Sequence, residues 1–215
     1  MRSGKLRENP DFQKAYSTPL TVTVDGADQL ISPGADWVYG YEPLTGKELW
    51  RAGYHGFSTV TRPVAGHGLF WVCTGFGDTE MWTFRLGGHG DCSVTHTAWK
   101  VTKSAPAKPS PILVGDELYL VSDSGSAACF DARSGREIWR ERVGGNFSAS
   151  PIVAGGRLYF CSEEGKVSVL AAGQEFKRLA LNQLGERIMA SPAVSGNTLF
   201  LRTDKALYRI EDAKP

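Results

Sequence analysis

Apolar residues in this chain come in short runs. Ile112-Leu113-Val114, Leu118-Tyr119-Leu120-Val121 and Ala127-Ala128-Cys129-Phe130 are three or four residues long and are separated by polar or glycine-containing stretches. Runs of that length, rich in branched and aromatic residues, fit strands. No segment sustains an apolar period near 3.6, so the pattern predicts an all-β chain with helices nearly absent. The stretches between the runs are turn-like. Val114-Gly115-Asp116-Glu117 and Ala154-Gly155-Gly156-Arg157 read as tight hairpin turns in which glycine can take a positive φ. Ser124-Gly125 and Glu164-Gly165 make a second kind of turn, and Ser134-Gly135-Arg136 leads into a fourth strand, Glu137-Ile138-Trp139-Arg140.

This order of elements repeats. Ser110-Pro111-Ile112-Leu113-Val114-Gly115, Ser150-Pro151-Ile152-Val153-Ala154-Gly155 and Ser191-Pro192-Ala193-Val194-Ser195-Gly196 follow one template. Arg62-Pro63-Val64-Ala65-Gly66 is a fourth copy, and Ser17-Thr18-Pro19-Leu20 begins a looser fifth. The anchor prolines at 19, 63, 111, 151 and 192 are spaced by 44, 48, 40 and 41 residues. A second landmark keeps the same phase: Tyr41-Glu42-Pro43-Leu44-Thr45-Gly46-Lys47-Glu48-Leu49-Trp50 matches Phe130-Asp131-Ala132-Arg133-Ser134-Gly135-Arg136-Glu137-Ile138-Trp139. His96-Thr97-Ala98-Trp99 is a degraded copy, and Glu175-Phe176-Lys177-Arg178-Leu179 has lost the tryptophan. Four antiparallel strands per unit of about 40 residues is the blade of a β-propeller.

The pattern aromatic-Asp-x-x-x-Gly-x-x-x-Trp, followed by Ser-Pro and a glycine turn, resembles the PQQ-type repeat of quinoprotein-like propellers. Asp131 with Gly135 and Trp139 carries it best, and Glu42 stands in place of the aspartate beside Gly46 and Trp50. The resemblance covers the chain from about Ser17 onward and implies that Trp50, Trp99 and Trp139 dock neighbouring blades, with Gly46, Gly135 and Asp131 shaping the turn before them. Blades are expected over residues 17–58, 59–105, 106–147 and 148–187, with a partial fifth over 188–215 and residues 1–16 as the remnant of a preceding blade. That is about four and a half blades, against the seven or eight that the family normally has. The expected form is an open arc, resembling the C-terminal half of such a propeller. A five-bladed closure through Lys5-Leu6-Arg7, or a ring completed by a second copy, are the other arrangements, and exposed terminal blades would favour self-association.

Composition narrows the function classes. The 215 residues carry 24 basic and 23 acidic side chains, a formal charge of +1, with 41% hydrophobic and 22% charged residues. This describes a globular chain long enough for a real core. It offers no electrostatic argument for nucleic acid or anionic lipid. No apolar stretch reaches the roughly 18 residues of a membrane span. The N-terminus lacks the apolar region of a signal peptide, although the family resemblance implies a periplasmic or secreted setting.

Candidate chemistry is sparse. The dehydrogenases of the resembled family hold PQQ near adjacent cysteines and a Ca²⁺ bound by Glu, Asn and Asp. Here Cys73, Cys92, Cys129 and Cys161 are far apart and read as small buried hydrophobes, and no acidic residue matches the Ca²⁺ ligands. His89, Asp91, Cys92 and His96 sit within eight residues and are chemically suited to a soft metal. Their spacing matches no zinc pattern, so residues 87–96 are read as a surface loop. Glu163-Glu164 is read as a solvated hairpin turn. Expected overall is a non-catalytic scaffold without cofactor or metal that binds a protein partner, similar to the propeller lipoprotein that assists outer-membrane protein assembly, although no lipobox cysteine lies near the start. The alternatives are the C-terminal part of a PQQ-dependent dehydrogenase and a carbohydrate-binding module.

Overall fold

The computed structural model describes residues 13–211. The closing strand considered at Lys5-Leu6-Arg7 lies outside these residues, as does most of the 1–16 segment. Among the described residues there is no α-helix, and 20 strands form five sheets, antiparallel save for one short parallel pairing. The fold is all-β, as the run lengths predict. The chain divides into two compact units, Met1–Ala107 and Lys108–Pro215.

In the first unit, β1 (Leu20–Val24), β2 (Ala27–Pro33), β3 (Trp37–Tyr41) and β4 (Glu48–Gly53) form a meander. A second sheet joins β5 (Val64–Gly66), β6 (Leu69–Cys73), β7 (Met81–Arg85) and β9 (Thr97–Val101). Between β7 and β9 the chain leaves its own sheet. Here β8 (Gly90–Asp91) pairs in parallel with β4, Trp50 facing Gly90 and Arg51 facing Asp91, so the first sheet has five strands. The surface loop expected over residues 87–96 is therefore partly a strap across the edge of a neighbouring sheet. Its backbone is held by Cys92 N–H donating to the Arg51 carbonyl at 2.8 Å, and the Ser93 hydroxyl accepts from Gly53 N–H at 2.8 Å. Cys92 is buried against the β4 side of the core, which an exposed loop would not allow.

In the second unit, β10 (Ile112–Val114), β11 (Glu117–Val121), β12 (Ser126–Asp131) and β13 (Glu137–Arg142) form one four-stranded sheet. Another consists of β14 (Ile152–Ala154), β15 (Arg157–Cys161), β16 (Lys166–Ala171) and β17 (Arg178–Gln183). The last has three strands, β18 (Ala193–Ser195), β19 (Thr198–Arg202) and β20 (Leu207–Ile210).

One irregularity recurs at the same place in four sheets. The ladder slips by one residue after Gly40, Thr83, Cys129 and Val169, leaving Leu49, Ala98, Ile138 and Leu179 without an opposite residue. This is a β-bulge, and it bends the outer strand and re-aims the residue that follows. That residue is Trp50, Trp99, Trp139 or Ala180. The apolar residue between the repeat's glutamate and tryptophan is thus the bulge itself.

The core lies between sheets. Trp50, Phe70 and Phe84 anchor the first unit's cluster, and Tyr119, Trp139, Phe147 and Phe160 anchor one in the second.

Candidate functional site

The repeat residues fall into two groups, a turn and a ring. Asp131 Oδ1 accepts from Ser134 N–H at 2.8 Å and from the Ser134 hydroxyl at 2.7 Å, and Gly135 N–H donates to the Asp131 carbonyl at 2.9 Å. Glu42 does the same work with a longer side chain, accepting from Leu44 and Thr45 N–H at 3.0 and 2.7 Å, while Gly46 N–H reaches the Glu42 carbonyl at 2.9 Å. Bonds from the Ser134 side chain and amide hold the Asp131 carboxyl below its ordinary value, and bonds from Thr45 and Leu44 do so for Glu42. Gly46 and Gly135 both take positive φ, 71° and 73°, which is why glycine stands there. The acidic residue is therefore a turn cap, and both of its copies point their oxygens at their own backbone.

The tryptophans differ from one another. Trp50, buried, packs on Phe70 of the next sheet at 5.3 Å and donates its indole N–H to Gln29 Oε1 at 2.8 Å. Trp139 meets Phe176, on the approach to β17, edge-on at 5.3 Å, and donates to the Gly173 carbonyl at 3.2 Å. Trp99 is half-buried and contacts Trp71 of its own sheet at 6.4 Å.

Two structural roles were not evident from the sequence. The serine of each Ser-Pro motif links successive repeats: Ser110 N–H donates to Ser150 Oγ, and Ser150 N–H to Ser191 Oγ, both at 2.9 Å. The motif itself was the available signal, since a hydroxyl before a proline recurs at three copies. Glu163, expected to be a solvated turn residue, is instead an ion-pair hub. Its carboxylate takes Arg187 at 2.8 Å, Lys108 at 3.3 Å and the Ser148 hydroxyl, and Lys108 also pairs with Asp123 at 3.7 Å. These bonds, led by that from Arg187, lower Glu163 to about 2. Glu164 caps the Asn146 amide at 3.1 Å, so neither acid is placed as a free general acid or base.

The residues considered for a soft metal do not converge. Asp91 Oδ1 accepts from Ser93, His96 Nδ1 lies 2.8 Å from the Thr95 hydroxyl, and Cys92 Sγ points at the His89 carbonyl, its thiol pushed up by burial. Among the described residues no group of three or more His, Cys, Asp or Glu side chains is disposed to hold a metal. All four cysteines are buried free thiols.

The first unit also carries an exposed aromatic loop. Phe76 is 71% exposed yet firmly held, its N–H bonded to the Phe57 carbonyl at 3.0 Å and its ring 6.2 Å from Phe57. On the other side of this segment Tyr16, 62% exposed, donates its N–H to the Thr59 carbonyl at 2.7 Å. Both rings are thus presented to solvent from a hydrogen-bonded backbone.

Comparison with known proteins agrees with this architecture. A family model described as outer membrane protein assembly factor BamB matches residues 34–204. The chain belongs to that family. A BamB of Burkholderia pseudomallei is 31% identical over 94 residues, 44% of this chain and 24% of that protein. The crystal structure of BamB from Moraxella catarrhalis superposes with a TM-score of 0.66 at 15% identity, covering 90% of this chain and 57% of that one. The chain thus spans about a quarter and just over half of these BamB relatives, and the superposition identifies the fold as a β-propeller. No helix among the described residues is long and apolar enough to cross a membrane.

Proposed function

We propose that this chain is a non-catalytic propeller scaffold that binds a protein partner during outer-membrane protein assembly, outside the cytoplasm. The match of residues 34–204 to the BamB family carries this reading. Two features support it. The repeat's titratable groups are engaged structurally, Asp131 and Glu42 as turn caps and Glu163 in ion pairs. Meanwhile Phe76 and Tyr16 are held at the surface on a bonded backbone.

The residues present lend no support to the cofactor of the wider quinoprotein family. The four thiols are buried singly in different strands and turns, and the described acids form no cation cage. The blade-docking role of Trp50 and Trp139, with Trp99 as a weaker copy, belongs to the same reading: the rings hold a surface in place and take no part in chemistry.

The test is site-specific photocrosslinking in cells with a benzophenone amino acid at Phe76, and at Leu44 as an exposed control. An adduct with a component of the outer-membrane assembly machinery from Phe76, absent from Leu44, is expected. Dye-linked alcohol or aldose oxidation by the purified chain with added PQQ and Ca²⁺ would overturn the reading in favour of a dehydrogenase.

A further inference from the structure

In the sheets of four or five strands, the residue just after the repeat's tryptophan position is the one that differs. In three of them it is a cation: Arg51 faces Tyr39, Lys100 faces Trp82 and Arg140 faces Ala128. Each cation is fixed by an acid and lies over a ring. Arg51 pairs with Glu48 at 3.6 Å and covers Trp37, and Lys100 pairs with Glu80 at 2.9 Å and covers Trp82. Arg140 pairs with Glu137 at 2.6 Å and covers Phe130. In the fourth sheet the same register position, facing Ser168, is Leu181.

Charge on an outer strand discourages a foreign strand from pairing with it, since the addition would strip water from the charged group. In β13, Glu137, Arg140, Glu141 and Arg142 supply that charge. In β17 only Arg178, at its start, is charged. Leu179 and Leu181 are instead 44% and 53% exposed. β17 is also the terminal strand of its sheet, so about half of its amides and carbonyls point away from β16 towards no described strand. The chain itself shows that such an edge accepts another strand, because β8 lies in parallel against β4, the equivalent strand of the first sheet.

We propose that the open edge of β17 binds an extended, uncharged segment of a partner protein, which joins the sheet as a fifth strand. Main-chain hydrogen bonds to β17 hold the segment, and Leu181 selects an apolar residue on the face it shares. The proposal rests on the scaffold reading, in that the segment comes from a protein partner. It adds where that partner docks and in which conformation.

The experiment is titration of the full chain into a fluorescein-labelled, uncharged peptide, Ser-Thr-Val-Thr-Val-Thr-Ser, followed by anisotropy. The same peptide N-methylated at alternate residues serves as the comparison, since it keeps its side chains but loses the donors of one edge. Saturable binding of the unmethylated peptide is expected, with the methylated form weaker by about tenfold or more. Leu181→Lys, which gives β17 the cation of the other sheets at an exposed position, should weaken binding by about fivefold or more and leave the melting temperature unchanged. The proposal is overturned by absence of saturation into the millimolar range, by equal binding of the methylated peptide, or by undiminished binding in Leu181→Lys. A dimer of the chain alone in sedimentation that Leu181→Lys dissolves would also overturn it, as that gives the edge to a second copy. Crosslinking from Phe76 reports on the scaffold reading separately, so a positive crosslink with a silent peptide removes only the β17 site.

Discussion

The Trp50 indole occupies the space where a side chain on Gly40 would stand, and the two residues face each other across the β3–β4 ladder. At the equivalent place in the third sheet Trp139 faces Cys129, so only the first sheet requires a bare backbone under its tryptophan. Gly40→Ala should destabilise the protein by about 1–3 kcal/mol, the usual result of overpacking a core. Urea unfolding followed by tryptophan fluorescence measures it, and a change under about 0.5 kcal/mol would show that the ring can move aside.

Trp139→Ala should cost about 3–5 kcal/mol, since it removes a large buried ring and its bond to Gly173. Tyr119→Phe removes a hydroxyl that accepts from Gly173 N–H at 2.6 Å, and should cost about 0.5–1.5 kcal/mol. If the two losses combine less than additively in a double-mutant cycle, the residues act on Gly173 as one unit.

Glu163 links the pairing network to pH. Its folded value, about 2, lies below the ordinary 4.5, so its contribution is complete above about 4.5 and is lost as pH falls towards 2. Because Lys108 and Arg187 are about half exposed, the contribution is on the order of 1 kcal/mol. Glu163→Gln should lower stability at pH 7 and make little difference at pH 2. An equal loss at both pH values would point to packing instead of charge.

Burial pushes the thiols of Cys129 and Cys161 up to about 12. A thiol reagent at pH 8 should therefore leave the native protein unlabelled and titrate four thiols after denaturation. Rapid labelling of Cys129 in the native protein would mean that β12 opens locally.

The sequence made the strands and turns legible because each repeat writes them locally. The short apolar runs, the hairpin glycines and the Asp131–Trp139 spacing all act within about ten residues of one another. Pairings between distant segments left no such trace. The strap β8 is two residues, Gly90 and Asp91, with no apolar alternation to betray a strand, and its partner is β4 of the preceding repeat. The partners of Glu163 are 24 and 55 positions away, so its charge read only as a polar turn. The bulge was hidden because Glu137-Ile138-Trp139 has the composition of an ordinary strand, and only the ladder shows that Ile138 has no opposite residue. Loss of the repeat's tryptophan was visible in the sequence, and the ladder places the substitute, Ala180, inside β17.

The strap has a consequence for how safely the chain keeps company with other chains. An outermost strand offers a row of free amides and carbonyls to any extended peptide that drifts past. On β4 part of that row is already taken, by Gly90 and Asp91 and by the amide bond from Cys92 to Arg51. A stray strand would have to peel the strap away before it could add to this sheet. The two-residue strap is thus a guard on the sheet edge, protecting it against the addition of foreign strands.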